Sequence, residues 1–125
     1  MALQIDINYK EVDDFWEVSL TGSLDTETAP ELEEDLAQIF DSDSNKLIFN
    51  MTGVDYVSSA GIRIIAMASR KMTEKSGAIA MTGLQPQIKK VFDIVKALPN
   101  FSIFKDEAEA DDYFDHMQKK VLDGN

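Results

Sequence analysis

Strands and helices in the order β-β-α-β-α-β-α-β-α predict an α/β protein whose mixed, largely parallel sheet has about five strands, opens on a hairpin and is flanked by about four helices. Three observations carry this. Leu3 to Tyr9 and Trp16 to Leu20 alternate apolar and polar residues, the period of a half-buried strand. The run Leu47-Ile48-Phe49 is continuously apolar, as suits a central strand buried on both faces. Between and beyond these, apolar residues recur with a period near 3.6, which belongs to amphipathic helices.

In chain order, Leu3, Ile5, Ile7 and Tyr9 define the first strand, and Trp16, Val18 and Leu20 the second. The acidic break from Glu11 to Asp14 makes them a hairpin. Thr21-Gly22-Ser23-Leu24-Asp25 then leaves the sheet. Thr28 and Glu31 stand at capping-box spacing, with Pro30 in the first turn of a helix whose apolar face is Ala29, Leu32, Leu36, Ile39 and Phe40. After the central strand a second helix starts near Ser58 or Ser59, with Ile62, Ile65, Ala66, Ser69 and Met72 on its inner face.

Gly77 and Gly83 bracket a short strand, Ala78 to Thr82. Pro86 opens a third helix with Ile88, Val91, Phe92 and Val95 facing inward, and Pro99-Asn100 breaks it before a last strand from Phe101 to Phe104. The final helix carries Asp106, Glu107 and Glu109 near its start and Lys119 and Lys120 near its end, matching the helix dipole. Its buried face is Ala110, Tyr113, Met117 and Val121.

The 125 residues fit one domain, 1–125, large enough for a full core. With 44% hydrophobic and 28% charged residues the composition is that of an ordinary soluble globular protein, neither disordered nor membrane-spanning. The absence of cysteine removes disulfides, thiolate metal sites and cysteine nucleophiles. A net charge of -11 argues against nucleic acid and anionic membrane as partners and favours a basic protein. Met1 to Asp6 lacks the basic flank and apolar block of a signal peptide, and no apolar run approaches the roughly 20 residues that cross a bilayer, so a cytoplasmic location is expected.

Several motifs fail on inspection. Asp41-Ser-Asp43-Ser-Asn45 begins like a calcium loop, but Lys46 and Thr52 stand where glycine and glutamate are required. Asn50-Met51-Thr52 fits a glycosylation sequon only at the end of a buried strand. His116 is the single histidine, so neither a histidine metal site nor a serine–histidine triad is supported. No glycine-rich phosphate loop is present. Met51, Met67, Met72 and Met81 fall within strands and helices and read as core.

The two serines at the start of the second helix have an ordinary explanation, because a serine hydroxyl can accept a hydrogen bond from a first-turn N–H. They also stand where a phosphate is best tolerated, at the positive end of the helix dipole. Gly61 costs the helix roughly 1 kcal/mol against alanine, and the close approach of another molecule is the reason expected for it. Open α/β sheets place ligands beyond the carboxyl ends of their strands, which is where Ser58 and Ser59 fall.

Val54-Asp-Tyr-Val-Ser58-Ser59-Ala-Gly61-Ile62 resembles the STAS-domain family of bacterial anti-sigma-factor antagonists, in which an acidic serine–glycine motif opens a helix after a hydrophobic strand. The likeness extends to Leu20-Thr-Gly-Ser-Leu-Asp25 with Ala29 and Leu32, and to Pro86 through Val95. Aligned on the glycine, Ser59 takes the place of the family's phosphorylated serine and Ser58 the place where many members carry aspartate. Lys96-Ala97-Leu98 replaces the usual Gly-Leu after the third helix.

The resemblance implies a binding module without enzymatic activity or cofactor. Unphosphorylated, it docks on an anti-sigma factor that is itself a serine kinase and so frees a sigma factor; a phosphatase reverses the modification. The residues implied are Ser59 as phosphoacceptor, with Ser58 second, and Asp25, Thr26, Ser58, Ser59 and Gly61 as the partner-binding edge. Two other readings stand beside it. One is a module binding a nucleotide or small anion at the same helix start. The other is a receiver-like domain with Asp55 as phosphoacceptor, Asp13 and Asp14 as its acidic pair and Lys105 as its lysine.

Overall fold

A computed structural model describes residues 2–94 and 102–104. The strands β1 (Leu3–Lys10), β2 (Phe15–Leu24), β3 (Lys46–Val57), β4 (Ala78–Thr82) and β5 (Ser102–Phe104) form one sheet in the order β1-β2-β3-β4-β5. Only β1 and β2 are antiparallel; every later pairing is parallel. The helices α1 (Ala29–Phe40), α2 (Ser59–Glu74) and α3 (Pro86–Ile94) are the crossovers that parallel pairing requires. The mixed α/β class and the opening hairpin are therefore as expected. The predicted final helix and its histidine lie outside the described residues, as do Val95, Phe101 and Lys105.

The hairpin closes through Asp14, which adopts φ 52, a left-handed conformation that aspartate tolerates better than most residues. Tyr9 Oη donates to Asp14 Oδ1 at 2.6 Å. Across the strands the Tyr9 and Trp16 rings pack 5.1 Å apart, a contact that helps hold the register. This topology overturns the receiver-like reading. Asp13 and Asp14 sit in the β1–β2 turn, whereas Asp55 sits near the carboxyl end of β3, which runs parallel to β2, so they mark opposite ends of the sheet.

Leu47, Ile48 and Phe49 are all fully buried. Leu47 and Phe49 join the main core with Val18, Leu20, Leu32, Leu36, Ile39, Ile65 and Met72, while Ile48 packs on the other face with Phe15 and Ala80. Each such side chain contributes about 1.5–3 kcal/mol by leaving water. Lys75, at the end of α2, donates to the carbonyl oxygens of Ile39 at 3.2 Å, Phe40 at 3.3 Å and Ser42. An ammonium on the last carbonyls of α1 complements that helix's dipole and ties the two helices together.

Three expectations need correction. Thr21 to Leu24 does not leave the sheet, because it pairs with Gly53 to Val57 in a common extension of β2 and β3. The pairing is irregular, with register shifts between Ser19 and Thr21 and between Gly22 and Ser23. Gly53 permits the approach, since a Cβ there would lie 2.7 Å from Thr21 Oγ1 and 3.0 Å from the Leu20 carbonyl oxygen.

The inner face of α2 is also rotated from the predicted one. Gly61, Ile64, Ile65, Ala68, Ser69 and Met72 are buried, whereas Ile62 and Ala66 are half-buried. The stripe starts at Gly61 and follows steps of three and four residues from it. Finally, the Thr28–Glu31 capping box does not form, because the Thr28 hydroxyl is engaged elsewhere. Among the described residues no helix is long and apolar enough to cross a membrane.

Candidate functional site

β2 and β3 run parallel and end together, Leu24 opposite Val57, so the loops that leave them emerge at one edge of the sheet. One enters α1 through Asp25 to Thr28 and the other enters α2 through Ser58. A backbone hydrogen bond joins the two exits, Ser58 N–H donating to the Leu24 carbonyl at 2.9 Å. Two helix N-termini thus open beside each other, each the positive end of a dipole.

The Asp25 loop is tightly self-bonded. Asp25 Oδ1 accepts from the backbone N–H groups of Glu27 at 2.9 Å and Thr28 at 3.0 Å. The Thr28 hydroxyl accepts from Asp25 N–H at 2.9 Å and donates to the Ser23 carbonyl at 2.8 Å. Hydrogen bonds to the charged form hold the Asp25 carboxyl below its ordinary range, the Thr28 N–H first, against a smaller opposing effect of desolvation. Thr26, at the tip, is exposed. Near the end of β2 the buried Ser23 donates to Asp55 Oδ1 at 3.3 Å, tying β3 to the strand that leads into this loop.

Ser58 is the N-cap residue of α2, extended at φ -94 and ψ 175, and its carbonyl accepts the first helical bond, from Ile62 at 3.0 Å. Its side chain does not cap. The Ser58 hydroxyl oxygen is shielded from solvent and has no hydrogen-bond partner among the described residues. Ser59 is the first helical residue, is exposed and makes no side-chain hydrogen bond to another described residue. The two adjacent serines have different environments: one hydroxyl is hidden and unpartnered among the described residues, the other exposed.

Asp25, Thr26, Ser58 and Ser59 therefore meet at one edge. Gly61 also lies there but faces inward, and its reading as a gap for an approaching molecule is corrected. It is buried, and a Cβ on it would come 2.7 Å from Leu24 Cγ and 2.9 Å from the Leu24 carbonyl oxygen. The missing side chain lets α2 lie against the end of β2.

Sequence reasoning missed Tyr56, which is 52% exposed at this edge. Gly22 pairs with Val54 and Ser23 with Tyr56, so Asp55 is an extra residue in β3, a bulge. Val54 and Val57 are buried while Asp55 and Tyr56 are both exposed, which simple alternation does not produce. A cavity of about 310 Å³ elsewhere, between β1 and α1, is lined by Leu3, Ile5, Glu31, Glu34 and Asp35. Its three carboxylates are the wrong charge for a nucleotide or small anion.

A model of the STAS domain family matches residues 6–110. The anti-sigma-B factor antagonist of Staphylococcus epidermidis is 30% identical over 82 residues, covering 66% of this chain and 76% of that protein. The crystal structure of an anti-sigma factor antagonist from Mycobacterium paratuberculosis superposes with a TM-score of 0.77 at 18% identity, over 87% of this chain and 91% of that one. Unphosphorylated SpoIIAA, also an anti-sigma factor antagonist, superposes with a TM-score of 0.73 at 20% identity, over 92% of this chain and 97% of its own. These structures share the fold, the matched segment includes the whole edge just described, and the chain belongs to the STAS domain family.

Proposed function

We propose that this chain is an anti-sigma factor antagonist, a cytoplasmic binding module that docks, unphosphorylated, on a serine-kinase anti-sigma factor and thereby frees a sigma factor. Asp25, Thr26, Ser58 and Ser59 form the contact, with Gly61 seating α2 beneath it. The observation that carries the reading is the exposed, unbonded Ser59 hydroxyl at the first position of α2, beside the Asp25 loop. The kinase transfers a phosphoryl group from ATP to Ser59 Oγ, and a phosphoserine phosphatase removes it. Ser59 is a substrate here and has no catalytic role.

The modification adds about -1.5 to -2 charge inside the contact. A phosphate buried in an interface whose facing surface does not complement it costs several kcal/mol, and each 1.4 kcal/mol is tenfold in affinity, so one phosphate is enough to release the partner without refolding the domain. The test is capture of the cognate anti-sigma factor by wild type, Ser59→Ala and Ser59→Asp, together with peptide mass spectrometry of protein from cells. Binding by the first two, loss with the third, and phosphate on Ser59 are expected. Equal capture by all three rules the mechanism out.

A further inference from the structure

We propose that Arg63 holds the phosphate of phosphorylated Ser59, closing an ion pair one turn along α2. The inference rests on Ser59 being the modified residue. On a helix surface a side chain meets those three and four positions away. For Arg63 these are Ser59, Ala60, Ala66 and Met67, so Ser59 is its single polar neighbour along the helix. Arg63 is exposed and makes no ion pair or hydrogen bond with another described residue.

The rest of the helix start is short of negative charge and of acceptors. No acidic residue stands in the first turn of α2, whereas α1 has Glu31 there, and the first charged residue of α2 is the cation Arg63. A helix dipole favours the opposite arrangement. Beside it the Ser58 hydroxyl is buried without a partner, a donor lacking an acceptor.

A phosphate on Ser59 supplies what both groups lack, negative charge and three acceptor oxygens. The guanidinium fork matches a phosphate with charge-assisted hydrogen bonds. An anion four residues N-terminal to a cation is also the favoured order on a helix. Phosphorylation then alters the docking edge twice: it adds an anion at Ser59 and takes the Arg63 charge away from a partner.

Installing phosphoserine at position 59 during synthesis of the chain removes the need for a kinase. The phosphate is then titrated by phosphorus NMR in wild type, Arg63→Gln and Arg63→Ala. Its second pKa is expected to be lower in wild type by about 0.3 unit, the size of an i,i+4 ion pair. The difference should shrink in 1 M salt. Asp25 and Asp55 share this edge in all three proteins, so their effect cancels. A wild-type curve that coincides with either variant overturns the proposal. Because the phosphate is placed chemically, failure to find phosphoserine in protein from cells would count against the proposed function and leave this result standing.

Discussion

Gly61 faces Leu24 so closely that a methyl group added to it would sit 2.7 Å from Leu24 Cγ. The last residue of β2 and the third residue of α2 are thus packed without room for a side chain, and this contact sets the rotation of the helix that presents Ser59.

Gly61→Ala should therefore destabilise the protein. Alanine improves helix propensity by roughly 1 kcal/mol. Overpacking against Leu24 and its carbonyl costs about 1–3 kcal/mol, and backbone on one side of the contact limits relief. Urea denaturation should show a net loss of about 1 kcal/mol. A gain in stability would mean that Gly61 borders open space and serves an approaching partner instead.

The Asp25 loop predicts a pH dependence with a definite sign. The folded-state pKa of Asp25 lies below its unfolded value, so the stabilisation is complete above the unfolded pKa and is lost as pH falls through the folded one. Between pH 7 and 5 the amide hydrogens of Glu27 and Thr28 should stay protected from exchange. Below about pH 4, the unperturbed aspartate value, their protection should fade. Asp25→Asn should remove this acid step, and an unchanged step in that variant would assign it to another carboxylate.

Much of this architecture was legible because its causes are local. The alternation in β1, the unbroken apolar run Leu47 to Phe49, Pro86 at the head of α3 and the glycines around β4 each act within a few residues. The paired extension of β2 and β3 was not legible, since Thr21 to Asp25 reads as leaving the sheet and the apolar run of β3 stops at Phe49, until the two strands are seen to carry each other. The same pairing produces the bulge at Asp55 that turns Tyr56 outward. Thr28 looked like half of a capping box, but its hydroxyl serves Ser23 and Asp25, a tertiary demand that spacing along the chain does not reveal.

Tyr56 should separate binding from stability. It is 52% exposed, so Tyr56→Ala should change stability by no more than about 0.5 kcal/mol. An exposed tyrosine next to Asp55 in the chain, at the proposed docking edge, has the character of an interface hot spot, especially toward an arginine-bearing partner. Affinity for the anti-sigma factor, measured by calorimetry, should fall at least tenfold, about 1.4 kcal/mol. Val12→Ala is the control, because Val12 is 97% exposed in the β1–β2 turn at the far end of the sheet. Equal effects of the two substitutions would remove Tyr56 from the contact.

Thr28 couples the core to the site, and its hydroxyl is the part that matters. The residue is 4% exposed, accepting from Asp25 N–H and donating to the Ser23 carbonyl. Thr28→Val preserves shape while stripping both backbone groups of their partner, and a buried group left unpaired costs about 1–3 kcal/mol. Thermal denaturation should therefore show a loss of about 2 kcal/mol for Thr28→Val and little for Thr28→Ser, which keeps the hydroxyl. The Ser23 carbonyl sits opposite the bulge, so the valine variant should also disturb the Ser23–Asp55 hydrogen bond and the setting of Tyr56. Partner affinity should then fall in Thr28→Val and hold in Thr28→Ser at a temperature where both are folded. If the two bind alike there, the loop's internal bonds stabilise the domain without shaping its docking edge.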